Sequence, residues 1–468
     1  MASEVYNPLP QLIDFAARLR FADLPPQVAR ETKRRIIDAL GCAVGALADE
    51  RLRERRDYLR RRTVNYAEGG LAFGVREKLS LADAAFLNST MIRWLDFNDT
   101  YLAKEPAHPS DNLGLLCALA GVRDLSGEEL VTAAALAYDV QCRLCEAASL
   151  RARGWDHVNY VLVSAALAGA KLLGMDRGQM YNAVAFALNA NVALRQAREG
   201  AYLSEQKNMA AADAVRGAAW ALEKVLAGAT APAEIFEGRH GFIAQVSGPL
   251  DPAAFEDLGK RFLIADTYIK QYPVEYHGQT VVEHALALRQ ALGAPSPDDV
   301  EEVLICGYEA QKRIIGDESK RRPTTKETAD HSLYFAFAAP FLEGEMSLRQ
   351  YRPELLSSAD VLGLIERTRF DEVAEWTQKY FAPQPQREFV SSATVRLADG
   401  RTATDRRRFP HGHPTSPMTD QELVEKFLTL AGPFLEQPEE TVNQLWDVDR
   451  APSVAALLAQ IVLRSESA

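Results

Sequence analysis

Apolar residues recur at helical spacing through the first half of the chain. In "LPQLIDFAARLR" the residues Leu12, Phe15, Ala16 and Leu19 share one face. Ser80 with Asp83 opens a further helix that carries "SLADAAFLNSTMIRWL". "VLVSAALAGAKLLG" ends at Gly174, suited to the left-handed position after a helix. "MDRGQMYNAVAFALNANVAL" follows, with Asp176 and Gln179 spaced as a capping box. "NMAAADAVRGAAWALEKVLAG" is another helix, closed by Gly228. These segments are rich in Ala and Gly, which lets helix axes approach closely and predicts a densely packed all-α domain or a dimer interface.

The texture changes near residue 265. "VEEVLICGYEA" (Val300 to Ala310) alternates and is β-branched, as a strand is. "SSATVRLADGRTATDRRRF" sets Asp399-Gly400 between two strand-like runs, a hairpin signal. The runs "TVVEHALALRQAL" and "SLYFAFAAPFLEG" between them are helical. The expected fold class is mainly α: an all-helical domain over 1–265, a smaller α+β domain over 266–408, and a helical segment, 409–468, that returns to the first domain.

Composition narrows the function. The 468 residues carry a net charge of −11, which argues against a nucleic-acid partner. The basic run Arg51 to Arg62 reads as one exposed helical face. "MASEVYNPLPQLIDF" lacks the basic and apolar regions of a signal peptide, and no run reaches the length of a membrane span. A cytoplasmic protein without a membrane partner is expected. The five cysteines are too few and too scattered for a disulfide scaffold. Cys142 and Cys145 form a C-x-x-C inside a helical pattern without a second pair, so buried structural thiols are expected. Nucleotide-binding glycine loops, a G-x-S-x-G elbow and H-E-x-x-H are all absent from the sequence. Chemistry by side chains alone is expected, with no cofactor and no metal.

The stretch "RWLDFNDTYLAKEPAHPSDN" then stands out, because ionisable residues crowd beside Trp94, Leu95 and Phe97. If the helix runs through it, Asp96 and Thr100 share a face at i,i+4. Pro109 bars helix at His108, and Ser110 or Asp111 would cap the next helix. A carboxylate, a hydroxyl and an imidazole can thus converge at one corner, where acid–base work is possible. Asp156 and His157 precede an apolar helix. Lys207 sits at the mouth of an Ala-rich helix, where a cation opposes the macrodipole. Lys270, Glu275 and His277 surround Pro273, His331 opens an aromatic helix, and His411 and His413 lie in a Gly/Pro loop. Each is more often structural when taken alone. Six such places in a chain with eight histidines suggest proton transfer on a carboxylate-bearing substrate.

Together these stretches resemble the 2-methylcitrate dehydratase and cis-aconitate decarboxylase family, also called MmgE/PrpD. The resemblance runs through "MIRWLDFNDTYLAKEPAHPSDNLG", "DHV" with "SAALAGAKLLGMDRGQMYNAVAFAL", and "KQYPVEYHGQTVVEHALAL". It implies a helical domain from N- and C-terminal segments with a smaller α+β lid domain, a homodimer, and a tricarboxylate pocket between the domains. It implies site positions at Asp96, Thr100 and His108, at His157, and at Lys207 and Lys270. Either Glu275 or His277 takes the place of the histidine after the Pro element. Tyr334 and His413 match the family more loosely. The implied activity is dehydration of 2-methylcitrate to 2-methyl-cis-aconitate, a step of the methylcitrate cycle in propionate catabolism. Its substrate carries about three negative charges near neutral pH, so Lys207 and Lys270, with Arg93 or Arg198, would offset the charge that develops. His108 oriented by Asp96, and His157, would move protons while Thr100 binds substrate. Alternatives are a cis-aconitate-type decarboxylase or a polycarboxylate epimerase on the same fold, or an inactive binding protein.

Overall fold

Helix ends follow local signals. In the computed structural model, which describes residues 5–63, 65–200, 202–382, 386–461 and 463–464, the Ser80 side chain caps the helix Leu81–Arg93 by accepting from the Asp83 amide. Asp176 and Gln179 form the capping box of Arg177–Asn191. Gly174 and Gly228 take left-handed φ of 68° and 82° behind their helices. Residues 1–4, part of the stretch read for a signal peptide, lie outside the described residues.

Contacts group the chain into two units. The first comprises Met1–Gln196, Asn208–Ile269 and Thr419–Ala468. Its centre is the helix Gly127–Ala147, buried along almost its whole length, which packs on Asn159–Leu172. Leu81–Arg93 packs on Leu113–Leu119, and Pro26–Gly45 packs on Asp420–Ala431 from the chain's last segment. Small residues permit these approaches. A Cβ on Gly114 would lie 2.6 Å from the Ser89 amide nitrogen, and one on Gly45 would lie 2.8 Å from Leu430 Cβ. Lys426 Nζ joins the C-terminal helix to Asp38 Oδ1 at 2.6 Å and to the Phe97 carbonyl at 2.8 Å.

The second unit comprises Ala197–Lys207 and Lys270–Met418. It holds a four-stranded mixed sheet of β1 (Val300–Gly307), β2 (Thr368–Glu372), β3 (Ser391–Leu397) and β4 (Thr402–Arg407). The order is β2-β1-β3-β4. β1 runs parallel to β2 and antiparallel to β3, and Gly400 turns the β3–β4 hairpin at φ 89°. The helices Gln279–Ala291 and Leu333–Glu343 complete its core, with Val281, Val282, Phe335 and Phe337 against Val303, Ile305, Ala393 and Val395. The chain is therefore mainly helical with one small sheet. Among the described residues, no helix is long and apolar enough to cross a membrane.

Several sequence expectations need correction. The helix that begins at Leu81 stops at Arg93. Asp96 adopts φ 51°, so Asp96 and Thr100 do not share a helical face. Neither Ser110 nor Asp111 caps a helix. Both lie inside a 3-10 turn, Pro109–Asn112, which leads into Leu113–Leu119. The contacts also group residues 197–207 and 409–418 with the sheet unit, not with the helical one. Lys207 pairs there with Asp330, and the His411 amide donates to Glu283. β2 gave no signal in the sequence because it is five residues long and mostly exposed.

Candidate active site

In the first unit, the segment after Arg93 is held by polar bonds in place of helix. Arg93, 1 % exposed, donates from Nη1 to Asp96 Oδ1 at 2.7 Å and to Asn98 Oδ1 at 3.0 Å. Its Nε lies 3.7 Å from Asp111 Oδ1. Thr100 and Tyr268 exchange backbone hydrogen bonds of 2.9 and 2.7 Å. Arg35 holds Thr267, next to Tyr268, through its hydroxyl and its carbonyl. A buried guanidinium with fixed planar donors can thus set a loop that no regular element supports.

His108 is half-buried at the far end of this loop. Its Nδ1 lies 2.7 Å from the Asp99 carbonyl and 3.2 Å from Thr100 Oγ1. A carbonyl only accepts, so Nδ1 carries the proton and the neutral ring bears its lone pair on Nε2. Asp99 grips His108 from both sides, because its Oδ1 also accepts from the Ser110 amide at 3.1 Å. Burial raises the Asp99 carboxyl, against the hydrogen bonds of Ser110 and Tyr138. The His157 ring centre lies 5.7 Å from that of His108. His157 Nδ1 is 3.1 Å from Asp156 Oδ1, the oxygen that also accepts from the Val158 amide. Two imidazoles, each with an acceptor at Nδ1, therefore stand side by side.

The second unit gathers cations around two carboxylates. Lys207, in the first turn of Gln206–Leu226, places Nζ 2.7 Å from Asp330 Oδ1 and 3.2 Å from His331 Nδ1. Lys326 reaches Asp330 Oδ2 at 2.7 Å. Burial alone would raise the Asp330 carboxyl, but Lys207, Lys326 and His331 outweigh it and hold it well below the usual range. This explains the cation at an unfavourable helix end, since its counter-charge lies 123 residues away in sequence. Glu275 accepts from the His277 amide at 2.7 Å and pairs with His277 Nδ1 at 2.9 Å. Burial opposes ionisation of Glu275 also, yet His277, His331 and Lys270 bring it down to about 2. His277 Nε2 meets the Tyr380 hydroxyl at 3.1 Å. Lys270 is fully buried.

The remaining candidates have structural partners. The Tyr334 hydroxyl donates to the Gly316 carbonyl and Glu318, with Arg321 stacked 4.0 Å over its ring. His413 stacks on Phe409 at 4.3 Å, and its Nδ1 accepts from the Thr415 amide. Burial brings His413 down to about 3, so it is neutral near pH 7. Arg198 Nη1 donates to the Lys207 carbonyl at 3.4 Å. Cys142 and Cys145 are buried and unbridged, and burial pushes both thiols well up, the reverse of what a thiolate ligand needs. Asp99, Asp330, Lys326 and Tyr380 escaped the sequence reading. Asp99 was one charge among many, Asp330 stood beside the more conspicuous His331, and Tyr380 gave no local signal.

Family models match both parts of the chain: the MmgE/PrpD N-terminal domain over residues 10–254 and the MmgE/PrpD C-terminal domain over 272–449. The chain belongs to the MmgE/PrpD family. Among its relatives is a "2-methylcitrate dehydratase" of Salmonella typhi, 29% identical, with 96% of this chain and 97% of that protein aligned. A protein of the same name from Cupriavidus necator is 29% identical over 93% of this chain and 92% of its own. A "2-methylcitrate dehydratase, mitochondrial" of Yarrowia lipolytica is 27% identical over 92% and 85%. The first matched range holds Asp96 to His157 and Lys207, the second holds Glu275, His277, Lys326 and Asp330, and Lys270 lies between the two.

Proposed function

We propose that this chain is a hydro-lyase that dehydrates 2-methylcitrate to 2-methyl-cis-aconitate, the methylcitrate-cycle step of propionate catabolism. The observation that carries the reading is the His108–His157 pair, with Nδ1 of His108 committed to a carbonyl so that the neutral ring's basic lone pair is on Nε2. One imidazole takes the proton α to a carboxylate. The electron pair forms the C=C bond, the C–O bond breaks, and the other imidazole supplies the proton with which hydroxide leaves as water. Negative charge grows on the substrate carboxylate as the proton leaves. Lys207 and Lys270 serve the same substrate by offsetting that charge. Arg198, Glu275, His277, Thr100, Tyr334 and His413 are proposed to contact or shape the bound tricarboxylate, and Asp96 fixes the loop through Arg93. The relatives' names support the reaction class.

The test is a panel of tricarboxylates given to purified, chelator-treated protein, followed by absorbance of an unsaturated product. 2-Methylcitrate is expected to react without added metal. Release of carbon dioxide from cis-aconitate would move the reading to a decarboxylase. Activity lost on chelation and restored by iron would overturn side-chain catalysis.

A further inference from the structure

Thr100 and His108 stand at the two ends of a short hairpin. Tyr101 and Ala107 close it with reciprocal backbone bonds of 2.8 and 2.9 Å. Three side chains tie the hairpin to its surroundings. Lys104 reaches Asp251, but both are about half exposed and such a pair contributes little. The Tyr101 hydroxyl donates to Glu146 at 2.7 Å. The third tie is Glu105, fully buried near the tip. Its Oε2 accepts from the Arg151 amide at 2.9 Å and from Ser149 Oγ at 3.1 Å, and its own amide donates to the Cys145 carbonyl at 3.1 Å.

The partners of Glu105 lie on the approach to His157. Trp155 N–H donates back to the Leu150 carbonyl, and Gly154 turns the chain at φ 82°, so Ser149 to His157 form one tight bend. One carboxylate therefore joins the segment that ends in His108 to the segment that ends in His157. We infer that Glu105 is a positioning residue that sets the spacing of His108 and His157 by bracing the Tyr101–Ala107 hairpin against Ser149 and Arg151. The inference rests on the acid–base reading of those two imidazoles.

The chemistry of the brace makes it sensitive to pH. Oε2 takes both hydrogen bonds, while Oε1 is buried without a hydrogen-bond partner. That asymmetry suits a protonated carboxyl with Oε2 as its carbonyl oxygen. Burial pushes Glu105 up to about 7, opposed by the Arg151 amide, Arg195, Arg151 and Ser149. The other ionisable groups facing it, Cys145 and Tyr160, are themselves pushed well up by burial and stay neutral. Glutamine reproduces the neutral form, since its carbonyl oxygen can occupy the Oε2 position.

Turnover and histidine titration test this together. Glu105→Ala is expected to lower kcat about tenfold or more with KM within about twofold, as misplacement of reacting groups does. Glu105→Gln is expected to restore kcat at pH 6 and to lack the change in kcat that wild type shows near pH 7. A folded Glu105→Ala protein with unchanged kcat, or a Glu105→Gln protein as impaired as Glu105→Ala, would overturn the inference. If Glu105→Ala does not fold, Ser149→Ala removes one of the two bonds and should give a smaller loss of the same kind. A second readout needs no substrate. The ring C–H resonances of His108 and His157 should titrate differently in wild type and Glu105→Gln, and unaltered titration would reject the brace. If no tricarboxylate reacts but the titrations differ, the brace stands and the dehydratase reading fails.

Discussion

His108 illustrates how little freedom a single ring retains here. Its Nδ1 proton is fixed by the Asp99 carbonyl, so replacement removes a group of defined tautomer. His108→Ala should lower kcat by roughly 10²–10⁴-fold, the usual range for general acid–base help, with the melting temperature nearly unchanged. Unaltered turnover by the folded variant would remove His108 from the mechanism. Asp330 belongs to the opposite category, a charge that its neighbours need. Asp330→Ala leaves Lys207 and Lys326 without their shared carboxylate, and breaking a buried pair from one side costs about 3–5 kcal/mol. A thermal or denaturant melt of that variant should show a large loss, and a loss below about 1 kcal/mol would mean that water or another group replaces the carboxylate.

At the scale of elements, Gly114 governs how the loop bearing Asp96 to His108 is bracketed. The helices on either side of that loop, Leu81–Arg93 and Leu113–Leu119, touch through Gly114 and Ser89. Gly114→Ala should force them apart, at a cost of about 1–3 kcal/mol for overpacking, and should lower kcat as well as stability because both ends of the loop move. A fall in melting temperature with kcat intact would show that the loop is set by its own polar bonds. Elements of this kind were the readable part of the sequence. Ser80, Asp176 with Gln179, Gly174, Gly228 and Asp399-Gly400 act within a few residues of themselves, and each ends or turns an element as its type predicts. The candidate residues Asp96, Thr100 and His108 were visible as a crowd of charges beside aromatics. Their arrangement was not, because it depends on a left-handed backbone at Asp96 and on Arg35 and Tyr268, distant in sequence. Asp330 was missed for the same reason, since its meaning comes from Lys207.

For the whole molecule, buried carboxyls of opposite behaviour predict a stability maximum. Glu275 ionises far more easily in the folded chain than at its ordinary value of 4.5. Its contribution is present above that value and is lost as pH falls toward about 2, with Asp330 acting in the same direction. Glu105 has the reverse sign. Its folded-state value is raised from 4.5 to about 7, so its contribution is full below about 4.5 and is lost as pH rises from there to about 7. The two shifts are each worth about 3 kcal/mol at their limits. Melting temperature against pH should therefore peak near 4.5 and fall from there to about 7, and Glu105→Gln should flatten that falling side only. A Glu105→Gln profile parallel to wild type would show that another group sets that side.

The helical unit is assembled from three stretches of chain, and its last contributor, Thr419–Ala468, supplies the Lys426 that bonds to Asp38 and to the Phe97 carbonyl. A ribosome delivers residues in order, so the Pro26–Gly45 helix emerges long before Asp420–Ala431 can cover it. The sheet unit lies almost entirely within Lys270–Met418 and meets no such delay. A nascent chain arrested before Thr419 should accordingly protect its sheet region from protease while its earlier, larger half is still cut. The loop that carries His108 would gain its final anchor only in the closing moments of translation.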